Sequence, residues 1–220
     1  MAAILVSILA ASAWFCSVSG LPFQRQSPAQ QLQSQQPLLD GLPSNSGLIL
    51  QYVGLGVGTQ NYTCNGATWV QTGPGNGALA TLYDATSWLA THTSSIPSLP
   101  SNRLALYKIV NEHQVLANLL PCLSVLGNHY FDANSRPTFN LDHANPPLVL
   151  SAAKIDSVKA PVLDAIPWLY LADANDGITR GLKSVYRVET AGGVAPSSCT
   201  SAQTGSRTFI PYAAEYWFYD

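Results

Sequence analysis

The residues with the most chemical potential are His129, Asp142 and His143. A carboxylate beside an imidazole can support general acid–base work or a weak metal site. If Phe131 to Phe139 forms a hairpin about Asn134-Ser135, His129 lies across from the Asn140 to Asp142 end. The competing reading makes His129 a sheet residue with a hydrogen-bonded ring. It is favoured because no nucleophile motif completes the set: the chain has no Gly-x-Ser-x-Gly and no His-Glu-x-x-His. The four histidines are 21, 16 and 14 residues apart, unlike compact zinc spacing, so no metal site is expected. Glu189 and Glu215 fall in strands, and a retaining glycosidase would need such carboxylates about 5 Å apart. Asp173 and Asp176 flank a turn and are read as serving it.

Gly54-x-Gly56-x-Gly58 resembles a phosphate-binding loop only at first sight. A dinucleotide fingerprint needs Gly-x-Gly-x-x-Gly after a strand and opening a helix. Here the third glycine is misplaced, and the residues that follow read as a strand ending at Cys64. No cofactor is expected, and the glycines read as places where a strand bends or bulges. The aromatic residues offer a third chemistry. Trp69, Trp88, Trp168 and the run Tyr216-Trp217-Phe218-Tyr219 could form a sugar-stacking platform, with Trp168, Tyr216 and Trp217 as ligand-binding candidates. Successive residues of a strand alternate faces, so both faces of that run are aromatic and one must be core. Packing of the other face under a second layer is favoured over exposure, given the area such rings bury.

These residues need elements to hold them, and the composition limits which. Of 220 residues, ten are Lys or Arg and twelve Asp or Glu, 10 % charged in all. An average soluble domain has about 25 %. The 21 aromatics and many aliphatics argue against disorder over the whole chain. A net charge of −2 offers no footprint for phosphates, so nucleic acid is not an expected partner. Residues 1–20 read as a secretory signal peptide: Ile4 to Phe15 is apolar apart from Ser7 and Ser12, and Val18-Ser19-Gly20 offers a small-residue cleavage site. The stretch is shorter than a membrane span, and no span is expected in the mature chain. Secretion, to the extracellular space or cell wall, is therefore the expected address. Asn61-Tyr62-Thr63 is a glycosylation sequon, with Asn61 expected on an outward face. Cys16 leaves with the signal. Cys64, Cys122 and Cys199 allow one disulfide and one free thiol, with three pairings open.

Residues 21–46 hold seven glutamines between Gln24 and Gln36 and read as a flexible spacer. From 47 to 220 a single β-domain is expected. Leu48 to Val53 and Val57 to Cys64 are strands, and Asn65-Gly66 turns the second into a partner over Ala67 to Thr72. Further strands are expected over Ala78 to Asp84, Gly127 to Phe131, Thr138 to Asp142, Val149 to Val158, Ile166 to Ala172, Leu182 to Thr190 and Thr208 to Tyr219. A partial apolar stripe predicts a helical or loop insertion near 102–121, stopped at Pro121. Many short strands without βαβ alternation point to a mainly β fold, an antiparallel sandwich or a barrel-like domain.

Five blocks then suggest a family. Gly56-Val-Gly-Thr-Gln-Asn-Tyr-Thr-Cys64, Gly127-Asn-His-Tyr-Phe131, Ala165-Ile-Pro-Trp-Leu-Tyr-Leu171, Tyr186-Arg-Val-Glu-Thr-Ala-Gly-Gly-Val-Ala-Pro196 with Cys199, and Tyr212-Ala-Ala-Glu-Tyr-Trp-Phe-Tyr219 resemble, in order, the domain of unknown function 3455 family. The resemblance covers about 47 to 220; residues 85–121 match none of its motifs. It implies a secreted or surface protein of fungal or bacterial type with no established activity. Some members carry a malate dehydrogenase label, which the glycine pattern above does not support. The matching blocks end at Cys64 and Cys199, so the resemblance implies a Cys64–Cys199 bridge and leaves Cys122 as a buried free thiol. Sequence thus leads to a secreted, non-catalytic binding or structural module, with an extracellular or cell-wall glycan as the partner considered. The alternative is a secreted hydrolase working through His129, Asp142 and neighbours.

Overall fold

The computed structural model describes residues 26–37, 39, 41–71, 77–109 and 123–220. The strands are β1 (Leu50–Cys64), β2 (Trp69–Val70), β3 (Gly77–Asp84), β4 (Val125–Phe131), β5 (Pro137–Leu141), β6 (Leu148–Val158), β7 (Trp168–Asp173), β8 (Ser184–Gly192) and β9 (Arg207–Tyr219). Each pairs antiparallel with its neighbour in the sheet, and β1 also pairs with β9 from Leu50↔Tyr219 to Thr63↔Arg207. That last pairing closes an eight-stranded antiparallel barrel, with β2 appended to the end of β1. Of the two architectures the sequence left open, the barrel is the one formed. Closure removes the unpaired edges that a sandwich would keep.

Strand alternation divides the apolar residues into two cores. On β9, Tyr212, Ala214, Tyr216 and Phe218 join a cluster fed by every strand from β3 to β9, which is the barrel lumen. The alternate residues Ala213, Trp217 and Tyr219 join a second cluster on the outer wall. Helices α1 (Pro28–Leu32), α2 (Thr86–Thr91) and α3 (Leu99–Ile109) cover that wall, α3 packing on β8 and β9. Both aromatic faces of Tyr216 to Tyr219 are thereby buried. The helical insertion begins earlier than the periodicity indicated, at Leu99; residues 110–122, and Cys122 with them, lie outside the described residues.

The glycines of β1 do not break the strand. Where two strands were expected, one runs uninterrupted for 15 residues. A Cβ on Gly56 would lie 2.4 Å from the Tyr216 ring, and one on Gly54 would lie 3.2 Å from the Phe218 ring. These glycines therefore make room on the lumen face for two rings of β9.

The Gln-rich tract also departs from expectation. Ser27 and Gln30 form a reciprocal capping box, and Pro28 occupies the first turn, so α1 is well nucleated. Leu32 and Leu42 are buried in the outer core. Gln33 accepts from the Leu50 amide at 2.7 Å and donates to the Leu48 carbonyl at 3.2 Å. The Tyr219 hydroxyl donates to Gln36. The described residues among 26–46 are thus not a solvated spacer. Composition showed no apolar face, but two leucines and the hydrogen-bonding glutamines suffice to dock the tract.

Candidate functional site

An eight-stranded barrel is about wide enough to fill with side chains or to hold one small ligand. Here part of the lumen is open. A cavity of about 620 Å³ is lined by residues of all eight barrel strands, β1 and β3 to β9. Its wall includes the apolar residues Ala78, Phe139, Ala152, Leu169 and Leu171. Its polar groups are Gln60, His129, Arg187 and Tyr216 inside, and Gln71, Ser135, Arg136, Lys154 and Ser157 towards solvent. Concave, mostly apolar walls with a few convergent polar groups are the usual form of a small-molecule site.

Each inner polar group is positioned by its strand. His129 on β4 pairs with Ala80 of β3 and Phe139 of β5. Its ring stacks on Phe139 at 4.1 Å and lies 5.7 Å from the Tyr216 ring. Nδ1–H donates to the Thr138 carbonyl at 3.0 Å, which fixes the tautomer of the neutral ring. Gln60 on β1 accepts from Gln71, while its buried Nε2 has no partner. On β8, Val185 and Arg187 face the lumen, whereas Tyr186 and Val188 face the outer core. Arg187 is 8 % exposed; Nη2 donates to the Pro167 carbonyl at 2.8 Å, and the buried Nε has no partner. The hydroxyls of Tyr212 and Tyr216 are 2.9 Å apart, and burial raises the pKa of both.

A model of a family described as a protein of unknown function (DUF3455) matches residues 43–220. The chain belongs to the DUF3455 family. Comparison with curated proteins and with solved structures finds no match. The bridge that the family resemblance implied is present in this DUF3455 chain: Cys64 and Cys199 are joined across 135 residues of sequence. Among the described residues no group of three or more His, Cys, Asp or Glu could hold a metal ion. No described helix is long and apolar enough to cross a membrane.

The expected cluster of His129, Asp142 and His143 does not assemble. The Phe131 to Phe139 hairpin forms, but its register places Phe131 opposite Pro137 and His129 opposite Phe139, two residues from the expected pairing. His129 is 3 % exposed in the lumen. Asp142 and His143 follow the end of β5 in the open, where His143 Nδ1 and Asp142 Oδ1 hydrogen-bond at 2.9 Å. The favoured reading of His129, a sheet histidine with a bonded ring, describes what is seen. Trp168 and Trp217 are buried in the outer core, so they form no exposed sugar platform; Tyr216 alone of the three faces the cavity. Asn61 is 5 % exposed, and its Oδ1 accepts from Thr59 at 2.8 Å. Asn61 keeps the expected outer face of β1, which it shares with Leu55 and Val57, but its side chain is nearly buried there beside its cross-strand partner Phe209.

Glu215 is buried on the outer wall rather than in the cavity, where Trp217 Nε1 donates to it at 2.9 Å. Burial holds its carboxyl well above the usual range, with the nearby Glu189 adding to the effect. Asp173 and Asp176 do serve their turn, accepting from the amides of Asn175 and Ile178. Asp176 also accepts from Ser151 and Arg136, each at 2.6 Å; the Ser151 bond leads in lowering its pKa. The residues that sequence reasoning passed over are Arg187 and Gln60. A signal existed for Arg187: it is a lone cation at a lumen-facing position of an apolar strand, in a chain with ten Lys and Arg.

The buried imidazole makes stability pH-dependent. Desolvation lowers the His129 pKa from 6.5 to about 4, against the bond to Thr138. Above pH 6.5 the ring is neutral in both folded and unfolded chains. Between these values only the unfolded chain takes up the proton, so stability falls with falling pH, by about 3 kcal/mol over the interval. His129→Phe keeps a flat ring on Phe139 and removes the titration. Urea midpoints of the wild type are expected to drop more between pH 7 and 4.5 than those of the variant. Equal drops would dissociate His129 from acid sensitivity.

Proposed function

We propose that this DUF3455 protein is a non-catalytic binding module whose site is the barrel lumen and whose ligand is a small, largely apolar molecule. The observation that carries this reading is the open lumen itself, walled by aliphatic and aromatic side chains in a barrel otherwise filled. Each methylene moved from water into such a space contributes about 0.8 kcal/mol, so affinity is expected to rise with the apolar length of the ligand. The polysaccharide reading loses its support with the burial of Trp168 and Trp217. The hydrolase reading loses its carboxylate partner with the exposure of Asp142. Secretion remains part of the proposal, supported by the apolar start of the chain and by a disulfide of the kind that persists in oxidising compartments.

The test is titration with the neutral fluorophore N-phenyl-1-naphthylamine. Wild type is expected to enhance and blue-shift its emission with a single saturable site. Leu169→Trp, which adds a large ring at a half-buried position in the cavity wall, is expected to weaken binding at least tenfold while the near-ultraviolet spectrum stays folded. A folded wild type that leaves the fluorophore unchanged would overturn the proposal. Mass spectrometry of protein from the culture medium tests the address: a mature chain beginning near Leu21 supports secretion, and Met1 retained in cytosolic protein opposes it.

A further inference from the structure

We infer that the lumen selects molecules with a carboxylate head, bound by Arg187, on an apolar body. This rests on the lumen being a binding site and adds the chemical class of its ligand.

Arg187 is a buried guanidinium without a counter-charge. Among the described residues no carboxylate lies within ion-pairing distance of it, and no Asp or Glu lines the cavity. Of its five N–H groups, one is taken by the Pro167 carbonyl, the neutral Tyr216 hydroxyl also lies against the guanidinium, and Nε is buried without a partner. The groups beside it supply no negative charge. His129 is neutral at pH 7, and the hydroxyls of Tyr212 and Tyr216 are held protonated by burial. Leaving a charge desolvated and unpaired is costly, so such a group is retained where something arrives to pair with it.

The remaining geometry restricts what arrives. Gln60 adds a second buried, unpartnered donor, its Nε2, to the same cavity. Lys154 and the Asp176-paired Arg136 stand at its outer part, so every charged residue of the described lining is a cation. Two planar oxygens match a guanidinium fork, and one inner cation matches one negative charge. The opposite requirement comes from Ala152, Phe139, Leu169 and Leu171, which offer no partner to further polar groups and take the body of the molecule. A monocarboxylate on an aliphatic or aromatic body satisfies both sets. A sugar, which needs many hydrogen bonds, does not.

The experiment is displacement of N-phenyl-1-naphthylamine by decanoate and by decan-1-ol, the same chain without the charge, at pH 7.5. Wild type is expected to bind decanoate about tenfold or more tightly than the alcohol, the ratio expected of a charge-assisted hydrogen bond in a desolvated site. Arg187→Gln is expected to bring the two ligands to parity while the neutral fluorophore still binds, and Arg187→Lys to restore part of the preference. The wild-type ratio alone decides if Arg187→Gln does not fold. Equal affinities in wild type overturn the carboxylate inference and leave the lumen as a site for neutral ligands. A preference that survives in folded Arg187→Gln also overturns it. A wild type that binds neither the fluorophore nor either decane derivative overturns the binding reading and this inference together.

Discussion

Replacing Cys64 and Cys199 together by serine is expected to lower the unfolding free energy by about 5 kcal/mol. The bridge closes a loop of 135 residues, most of the barrel. Cross-linking removes conformations from the unfolded chain, and for a loop of that length the chain-entropy estimate is about 5 kcal/mol. A domain of ordinary stability has only about 5 to 15 kcal/mol to lose. The native surroundings add little to offset the loss. The backbone near the bridge is held by bonds from the Cys199 amide to Ala67 and from the Cys64 amide to Ser206, and these persist without sulfur. Urea unfolding of the double variant measures the difference, and dithiothreitol applied to wild type should reproduce it. A loss below about 2 kcal/mol would mean that the unfolded chain is compact enough without the bridge, and the entropic account would fail.

Gly58→Ala is expected to be among the most damaging single methyl additions in the barrel, costing at least about 3 kcal/mol. A Cβ at Gly58 would lie 1.9 Å from the Leu79 carbonyl oxygen and 2.7 Å from the Ala80 Cα. Both are backbone atoms of β3, so no rotamer change relieves the clash; β1 and β3 must separate. Gly54→Ala serves as the graded control. Its Cβ meets first the edge of the Phe218 ring, at 3.2 Å, a side chain that can yield by a few tenths of an ångström. Thermal unfolding should therefore rank Gly58→Ala well below Gly54→Ala, with wild type highest. Equal effects at the two sites would show that β1 tolerates a shift away from β3.

The strands were largely legible because their signals are local. Val149 to Val158 and Thr208 to Tyr219 were expected as strands, and both form, over Leu148–Val158 and Arg207–Tyr219. Asn65-Gly66 gave the turn after β1, and the β-rich pattern without helical alternation gave the antiparallel class. The Gln-rich tract was misread because its docking depends on two leucines and on amides that find β1 only in the folded chain. The His129 cluster was misread for a related reason. A hairpin shifted by two residues keeps every side chain on its face, so alternation could not distinguish the pairing with Phe139 from the one two residues farther along β5.

The amino-acid sequence by itself determined the family, the class of fold, the strands and, through the family blocks, the pairing of Cys64 with Cys199. These follow from alternation, turn residues and ordered motifs, all of which are read along the chain. Only the tertiary structure decided which face of each strand is lumen and which is outer wall, because that depends on β1 meeting β9 across more than 140 residues. Closure buries Trp217 and Tyr219 under helices, leaves Asn61 nearly buried on the outer face, and parts His129 from Asp142. It also places Arg187, an ordinary cation when read in sequence, inside an apolar cavity without a counter-charge. A charge acquires that meaning only from its solvent and its partners, and both are set by the closed barrel.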